Sequence, residues 1–205
     1  MNYVARHGET DWNREGRYQG RRESRLTQTG LAQAIALADA LADAPIRRIV
    51  SSPLGRCVAT AAPLAERLGI PVETDPLLLE IAHGAWEGRL REDLRREDAE
   101  RMRQWKQAPE IVSFIDGETV AQVDARWRAF MGELGEADGV FIMTHDVLVR
   151  LAINDALGKP IADLWVPQVV NGGYAAFRGG GSWELLGYFT EHLGNLKVDT
   201  AHQAL

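Results

Sequence analysis

The sequence predicts an α/β fold built around parallel strands. Two observations carry this. Short buried strands alternate along the chain with helices, the pattern of βαβ units. Two of those strands end abruptly in a histidine, at Arg6-His7-Gly8 and at Thr144-His145-Asp146. Parallel α/β sheets bind ligands beyond the carboxyl ends of their strands, so both histidines stand where chemistry is expected.

The bulk numbers agree with that class. A chain of 205 residues gives one domain, 1–205, as the prior, with ample length for a core. Hydrophobic residues at 45% and charged residues at 25% are ordinary for a globular protein. A net charge of -6 argues against nucleic acid or an anionic membrane as a partner. A small anionic substrate stays open, because a local arginine cluster can oppose the global sign. One cysteine, Cys57, excludes an internal disulfide, and its helical context suits a small core residue better than a reactive thiol. No apolar run is long enough to span a bilayer and the N-terminus lacks a signal peptide, so a cytoplasmic location is expected. A cysteine pair, a His-Glu-x-x-His string and a carboxylate cluster are all missing, so no metal and no cofactor is expected.

Taken in order, the first strand ends at Arg6-His7-Gly8. Arg6 offers a forked, permanent charge that fits a phosphate, and His7 a nucleophilic nitrogen near neutral pH. Gly8 lets the backbone turn and approach a ligand. Together they suggest a phosphoryl group held by Arg6 and attacked by His7. For an isolated Arg-His-Gly, a hydrogen-bonded histidine beside an arginine–carboxylate pair would be the better reading. Residues 8–26 read as a polar loop rich in arginine and glycine, most of its arginines solvated. Residues 27–43 form a helix capped by Thr27 or Thr29, with Leu31, Ile35, Leu37, Ala38 and Leu41 as its apolar face. Ile46 to Val50 is a second strand. Ser52 then caps a helix, Pro53 enters its first turn and Gly69 stops it, which puts Arg56 in the anion-favouring first turn.

Pro71 to Thr74 is a short strand, and an apolar run follows into Glu80, a setting that desolvates a carboxylate and raises its pKa. Arg89 to Gln107 reads as a helix with a thin apolar stripe; a cap over the site (about 89–118) and a merely solvated helix fit equally well. The next helix opens at Asp116-Gly117-Glu118-Thr119 and runs through Val123, Trp127, Phe130 and Leu134. Val140 to Met143 is a buried strand, and Asp146 is placed to cap the helix from Val147 to Leu157. Trp165 to Val170 is expected to be extended. Gly179 to Gly181 turns a hairpin into Trp183 to Tyr188, and about 194–205 forms a loose tail.

Several stretches share an ordered set of motifs. They are Arg6-His7-Gly8-Glu9-Thr10 with Trp12-Asn13 and Gly16-Arg17-Tyr18-Gln19-Gly20, then Ser51 to Ala61, Leu77 to Gly88, Gly117-Glu118-Thr119 and Thr144-His145. In this the chain resembles the histidine phosphatase superfamily, which includes cofactor-dependent phosphoglycerate mutases, over residues 2 to about 193. The resemblance implies a three-layer α/β sandwich with a mostly parallel central sheet and helices on both faces. It implies His7 as nucleophile, Arg6 and Arg56 as phosphate clamps, Glu80 as proton donor and His145 as hydrogen-bond donor to the phosphoryl group. It further places Asn13, Gln19, Gly20 and the backbone N–H of Asp146 around the phosphate. Glu87 falls to structure, and His83 stands where the family varies and is given no catalytic role.

The chain departs from the family pattern at three points. Glu23-Ser24-Arg25-Leu26-Thr27 replaces Asp-x-Pro-Leu-Thr, Ile115 replaces a Pro, and Asp146 replaces a Gly. An ionised carboxylate facing phosphate is repulsive, so the Asp146 side chain is expected to turn away. The implied activity is metal-independent hydrolysis of a small phosphorylated metabolite through a phosphohistidine. A phosphoglycerate-type mutase is the alternative, and a non-catalytic phospho-ligand module comes third. The sequence leaves the oligomeric state open, a homodimer included.

Overall fold

The structure, a computed structural model, describes residues 1–180 and 182–197. Strands β1 (Asn2–Arg6), β2 (Arg48–Ser51), β3 (Val72–Thr74), β4 (Val140–Thr144), β5 (Tyr174–Arg178) and β6 (Glu184–Phe189) form one sheet in the order β3-β2-β4-β1-β5-β6. The first four run parallel, and β5 and β6 add an antiparallel edge. Helices α2 (Gln28–Ala40) and α3 (Gly55–Leu68) cover one face. The other is covered by α4 (Arg91–Glu97), α5 (Ala99–Gln107), α6 (Val120–Leu134) and α7 (Asp146–Ala156).

The layers follow from the two-residue period of the strands. Tyr3 and Ala5 of β1, Ile49 of β2 and Phe141 and Met143 of β4 point into the core beneath α2 and α3, with Leu37, Leu41, Cys57 and Leu64. Val4, Val50, Val140 and Ile142 point the other way, into the larger core with Trp105, Val123, Trp127, Phe130 and Leu148. Strands buried on both faces need apolar residues at successive positions, and β1 and β4 are buried throughout.

Several expected boundaries shift. Helix α2 starts after Thr27, whose hydroxyl accepts from the Gly30 N–H. Its inner face keeps Leu37, Ala38 and Leu41 of the expected set and adds Ala34, whereas Leu31 and Ile35 are exposed. The polar loop contains a short unforeseen helix, α1 (Asp11–Glu15), held by a capping box between Thr10 and Asn13. Ser52 does not cap α3. That helix begins at Gly55, whose N–H is met by the Glu23 carboxylate at 3.0 Å. Asp146 opens α7 without capping it. The single helix expected over 89–107 is two, broken at Asp98 (φ -138°, ψ 48°). Nor is its apolar stripe thin: Leu94, Met102 and Trp105 are buried against the core. Residues 165–170 form turns and coil instead of an extended segment. Of the expected tail, Leu196 is tied down by the Gln33 side chain at 2.8 Å; residues 198–205, like the hairpin residue Gly181, lie outside those described.

One contact fixes the loop that follows β1. Gly8 and Gly30 lie so close that a Cβ on Gly30 would fall 2.1 Å from the Glu9 carbonyl oxygen. Thr27 adds a backbone bond and a 2.6 Å hydroxyl bond to Glu9. Gly30→Ala should therefore destabilise the fold by about 2 to 3 kcal/mol, because backbone has to yield. Gly132, in the interior of α6, has open space around its Cα, and Gly132→Ala should stabilise by about 0.4 to 1 kcal/mol. Urea unfolding of the two variants checks both signs.

Candidate active site

Parallel pairing sets the site. β1 and β4 pair in a register that places Arg6 opposite Thr144, and the His7 N–H continues the ladder onto the Thr144 carbonyl at 3.0 Å. The histidine after each strand therefore sits beside the other, ring centroids 5.3 Å apart. Arg56, in the first turn of α3, reaches between them. Its Nε donates to His7 Nε2 at 3.2 Å, and its Nη2 to His145 Nδ1 at 3.2 Å and to the Gly20 carbonyl at 2.8 Å.

An arginine can only donate, so these bonds fix both tautomers. His7 keeps a lone pair on Nε2, and its Nδ1–H donates to the Gly8 carbonyl at 2.7 Å. His145 accepts at Nδ1 and donates from Nε2 to the Ser52 hydroxyl at 2.8 Å. Burial, reinforced by Arg56, holds both imidazoles well below their usual range, so both are neutral.

The cleft in front of His7 has about 270 Å³ of open space. Arg6, His7, Asn13, Gln19, Gly20, Arg56, Glu80 and Asp146 all line it. Of the nine residues nominated from sequence only His145 does not; fully buried, it stands behind Arg56. Burial, then the Asp146 charge, push the Glu80 carboxyl up to about 7, although the Ile81 N–H and two arginines favour its ionised form. Among the described residues, no group of three His, Cys, Asp or Glu side chains could hold a metal ion. No helix among them is long and apolar enough to cross a membrane.

The comparisons can be set beside this geometry. The model of the histidine phosphatase superfamily (branch 1) matches residues 2–188. The chain belongs to the histidine phosphatase superfamily. Among relatives, it is 33% identical over 178 residues to phosphoserine phosphatase 1 of Hydrogenobacter thermophilus, covering 85% of this chain and 84% of that protein. It is 32% identical over 161 residues to a probable phosphoglycerate mutase of Yersinia pestis, covering 77% of this chain and 75% of the other. Among solved structures, the alpha-ribazole phosphatase of Shigella flexneri superposes with a TM-score of 0.79 at 30% identity, over 86% of this chain and 89% of that one. This is an enzyme of the histidine phosphatase class, and the three-layer α/β fold expected from sequence is its fold.

Against the family pattern, Asp146 is the main surprise. Its carboxylate does not turn away. It lines the cleft, 3.1 Å from Arg6 Nη1 and 2.7 Å from Arg150 Nε, and is almost fully buried. Two guanidinium groups hold it there. Cys57 is buried as expected, its thiol pushed up chiefly by burial and so unreactive. His83, which stands where the family varies and is given no catalytic role by the resemblance, also lines the cleft. It sits edge-on to Tyr18, Trp105 and Phe114, and neither ring nitrogen has a hydrogen-bond partner among the described residues. Asn171 donates to the His7 carbonyl at 3.0 Å and to Asn13 Oδ1 at 3.2 Å, tying the β5 entry to the loop after β1. Glu87, assigned to structure, accepts from the Arg21 and His83 N–H groups, each at 3.1 Å.

These shifts make stability fall with acid. Burial comes first in lowering His7, His83 (to about 3) and His145, so on unfolding below about pH 6.5 each of the three gains a proton. Glu80, protonated up to about 7 when folded, gives its proton up. The unfolded chain then binds two more protons than the native one, so stability should drop by about 3 kcal/mol per pH unit at the steepest point between about pH 6.5 and 5. Urea midpoints at pH 7, 6 and 5 that stayed level or rose would contradict this.

Proposed function

We propose that this chain is a metal-independent phosphomonoesterase that works through a phosphohistidine on His7. The observation that carries the reading is the pairing, in one small cleft, of an uncharged imidazole with its Nε2 lone pair free of hydrogen and a carboxyl whose pKa lies near 7. In the first step His7 Nε2 attacks phosphorus in line, the ester P–O bond breaks, and the leaving oxygen takes the Glu80 proton. In the second, the Glu80 carboxylate accepts a proton from water as its oxygen attacks the phosphohistidine, which returns His7 and releases phosphate. Arg6 and Arg56 balance the charge on the equatorial oxygens. The His7 Nδ1–H, held on the Gly8 carbonyl, stabilises the imidazolium-like adduct.

The hydrogen bond from His145 to the phosphoryl group needs the opposite tautomer, with the Ser52 hydroxyl donating to Nε2; a hydroxyl serves in either direction. Asn13, Gln19, Gly20 and the Asp146 N–H complete the phosphate cradle in this reading. Phosphatase names among the relatives support water as the final acceptor. Several Yersinia relatives named probable phosphoglycerate mutases favour a second reading, return of the phosphoryl group to a substrate hydroxyl.

Two substitutions test the chemistry. His7→Ala should abolish turnover with the fold retained, and acid-labile, base-stable phosphate should be trapped on the wild-type chain but not on the variant. In kcat/KM, which reports the first step and not the shared hydrolysis of the phosphohistidine, Glu80→Gln should cost about two to four orders of magnitude on an alkyl phosphate, and much less on an activated aryl phosphate. With Glu80 intact the alkyl rate should decline above about pH 7, as the acid ionises. Equal losses on both esters would leave Glu80 a structural residue.

The acceptor is tested separately. Given 3-phosphoglycerate and a bisphosphoglycerate primer, the protein should release inorganic phosphate and form little 2-phosphoglycerate. Efficient isomerisation without matching phosphate release would install the mutase.

A further inference from the structure

We propose that Arg126 is a positioning residue for the general acid, acting through its ion pair with Glu118. The inference rests on the assignment of Glu80 in the reading above. Glu80 lies between two 3-10 turns, Pro76–Leu78 and Gly84–Trp86, on a stretch with no helical or strand ladder of its own. Buried carbonyls on such a stretch need partners from elsewhere. Side chains supply them one after another. Arg126 Nη1 donates to the Leu77 carbonyl at 2.7 Å and to Leu79 at 3.0 Å, and its Nη2 to Glu80 at 3.4 Å. The Leu78 carbonyl is taken by the Thr144 hydroxyl at 2.9 Å.

The remaining Arg126 donors go to Glu118, Nε at 3.0 Å and Nη2 at 3.1 Å, so all five guanidinium hydrogens are used. Glu118 in turn accepts from the Ala82 N–H at 3.0 Å. Its own N–H donates to the Ala82 carbonyl at 2.8 Å. The pair therefore grips the acid-bearing backbone on both sides of Glu80. Gly84 and Gly117 let the two segments touch: a Cβ on Gly84 would fall 2.0 Å from the Ile115 carbonyl oxygen, and one on Gly117 2.4 Å from that of Ala82.

Arg21 extends the grip. Its Nη2 reaches Glu118 at 2.8 Å and its Nε the Glu80 carbonyl at 3.5 Å. Arg21 directly follows Gln19 and Gly20, so Glu118 links the phosphate loop to the acid loop. Proton transfer tolerates little misplacement, and a backbone released by a few tenths of an ångström carries the carboxyl out of line with the leaving oxygen.

The test is a mutant cycle on two substrates. Arg126→Gln should lower kcat/KM on an alkyl phosphate by about 10- to 100-fold, within the range of general acid catalysis, and on an activated aryl phosphate far less. In a Glu80→Gln background the same substitution should cost under about 3-fold, since no acid is left to position. Arg126→Lys should not rescue, because an ammonium has three donors where five are used. Equal losses on both esters, or an undiminished loss in the Glu80→Gln background, would overturn the proposal and make Arg126 a scaffold residue. If Arg126→Gln fails to fold by circular dichroism, Glu118→Gln decides by the same split. If Glu80→Gln itself shows no leaving-group dependence, the acid assignment fails first. If it does and Arg126→Gln does not, the positioning role alone fails.

Discussion

The pairing of β1 with β4 is the constraint on which the rest of the site depends. Parallel strands in register deliver equivalent positions to the same edge, so the residue after Arg6 and the residue after Thr144 must be neighbours. Both are histidines. Everything else is arranged around that fact: α3 brings Arg56 between the rings, α7 starts at the second histidine, and the loop after the first folds back against Gly30. A one-residue slip would send the two imidazoles to different places and dismantle the cleft without touching its composition.

Charge in this small volume is balanced locally. Arg6 and Arg56 are both almost fully buried, a costly state for two cations unless each is bonded. Arg6 meets the Asp146 carboxylate and the Val169 carbonyl, while Arg56 leans on two carbonyls and two neutral ring nitrogens. Asp146 is shared with Arg150, which also lies over the Trp165 ring. The same carboxylate helps hold Glu80 protonated, so a residue outside the family pattern shifts the Glu80 carboxyl as well as pairing with Arg6.

The local signals in the sequence were strong where one element decides them. The Arg6-His7-Gly8 strand end, the Thr27 cap, the Gly69 stop and the Val123-Trp127-Phe130-Leu134 face of α6 read directly, and the structure keeps them. Features that depend on a distant partner did not read. Leu31 and Ile35 share helical spacing with Leu37, yet the tight contact at Gly30 rolls α2 so that Ala34 faces inward. Ser52 looks like a cap in isolation, but His145 claims its hydroxyl and Glu23 takes over the end of α3. Repulsion from phosphate alone would turn the Asp146 side chain away, and nothing in the local sequence announces the two arginines that converge on it. Arg126 gave one legible clue, a lone cation between Val123 and Trp127 on a buried helical face.

The bonding of Arg56 has a consequence for traffic through the cleft. Its guanidinium is already engaged by Gly20, Arg22, His7 and His145. In the proposed reaction, an arriving phosphoryl oxygen would swap one set of acceptors for another, and the net gain would be the difference between the two. Departing phosphate is replaced at once by groups that never left the neighbourhood. Such a site holds its anion loosely at both ends of the cycle and tightens chiefly while bonds to phosphorus are changing, when the equatorial oxygens carry charge that imidazole and carbonyl acceptors cannot match.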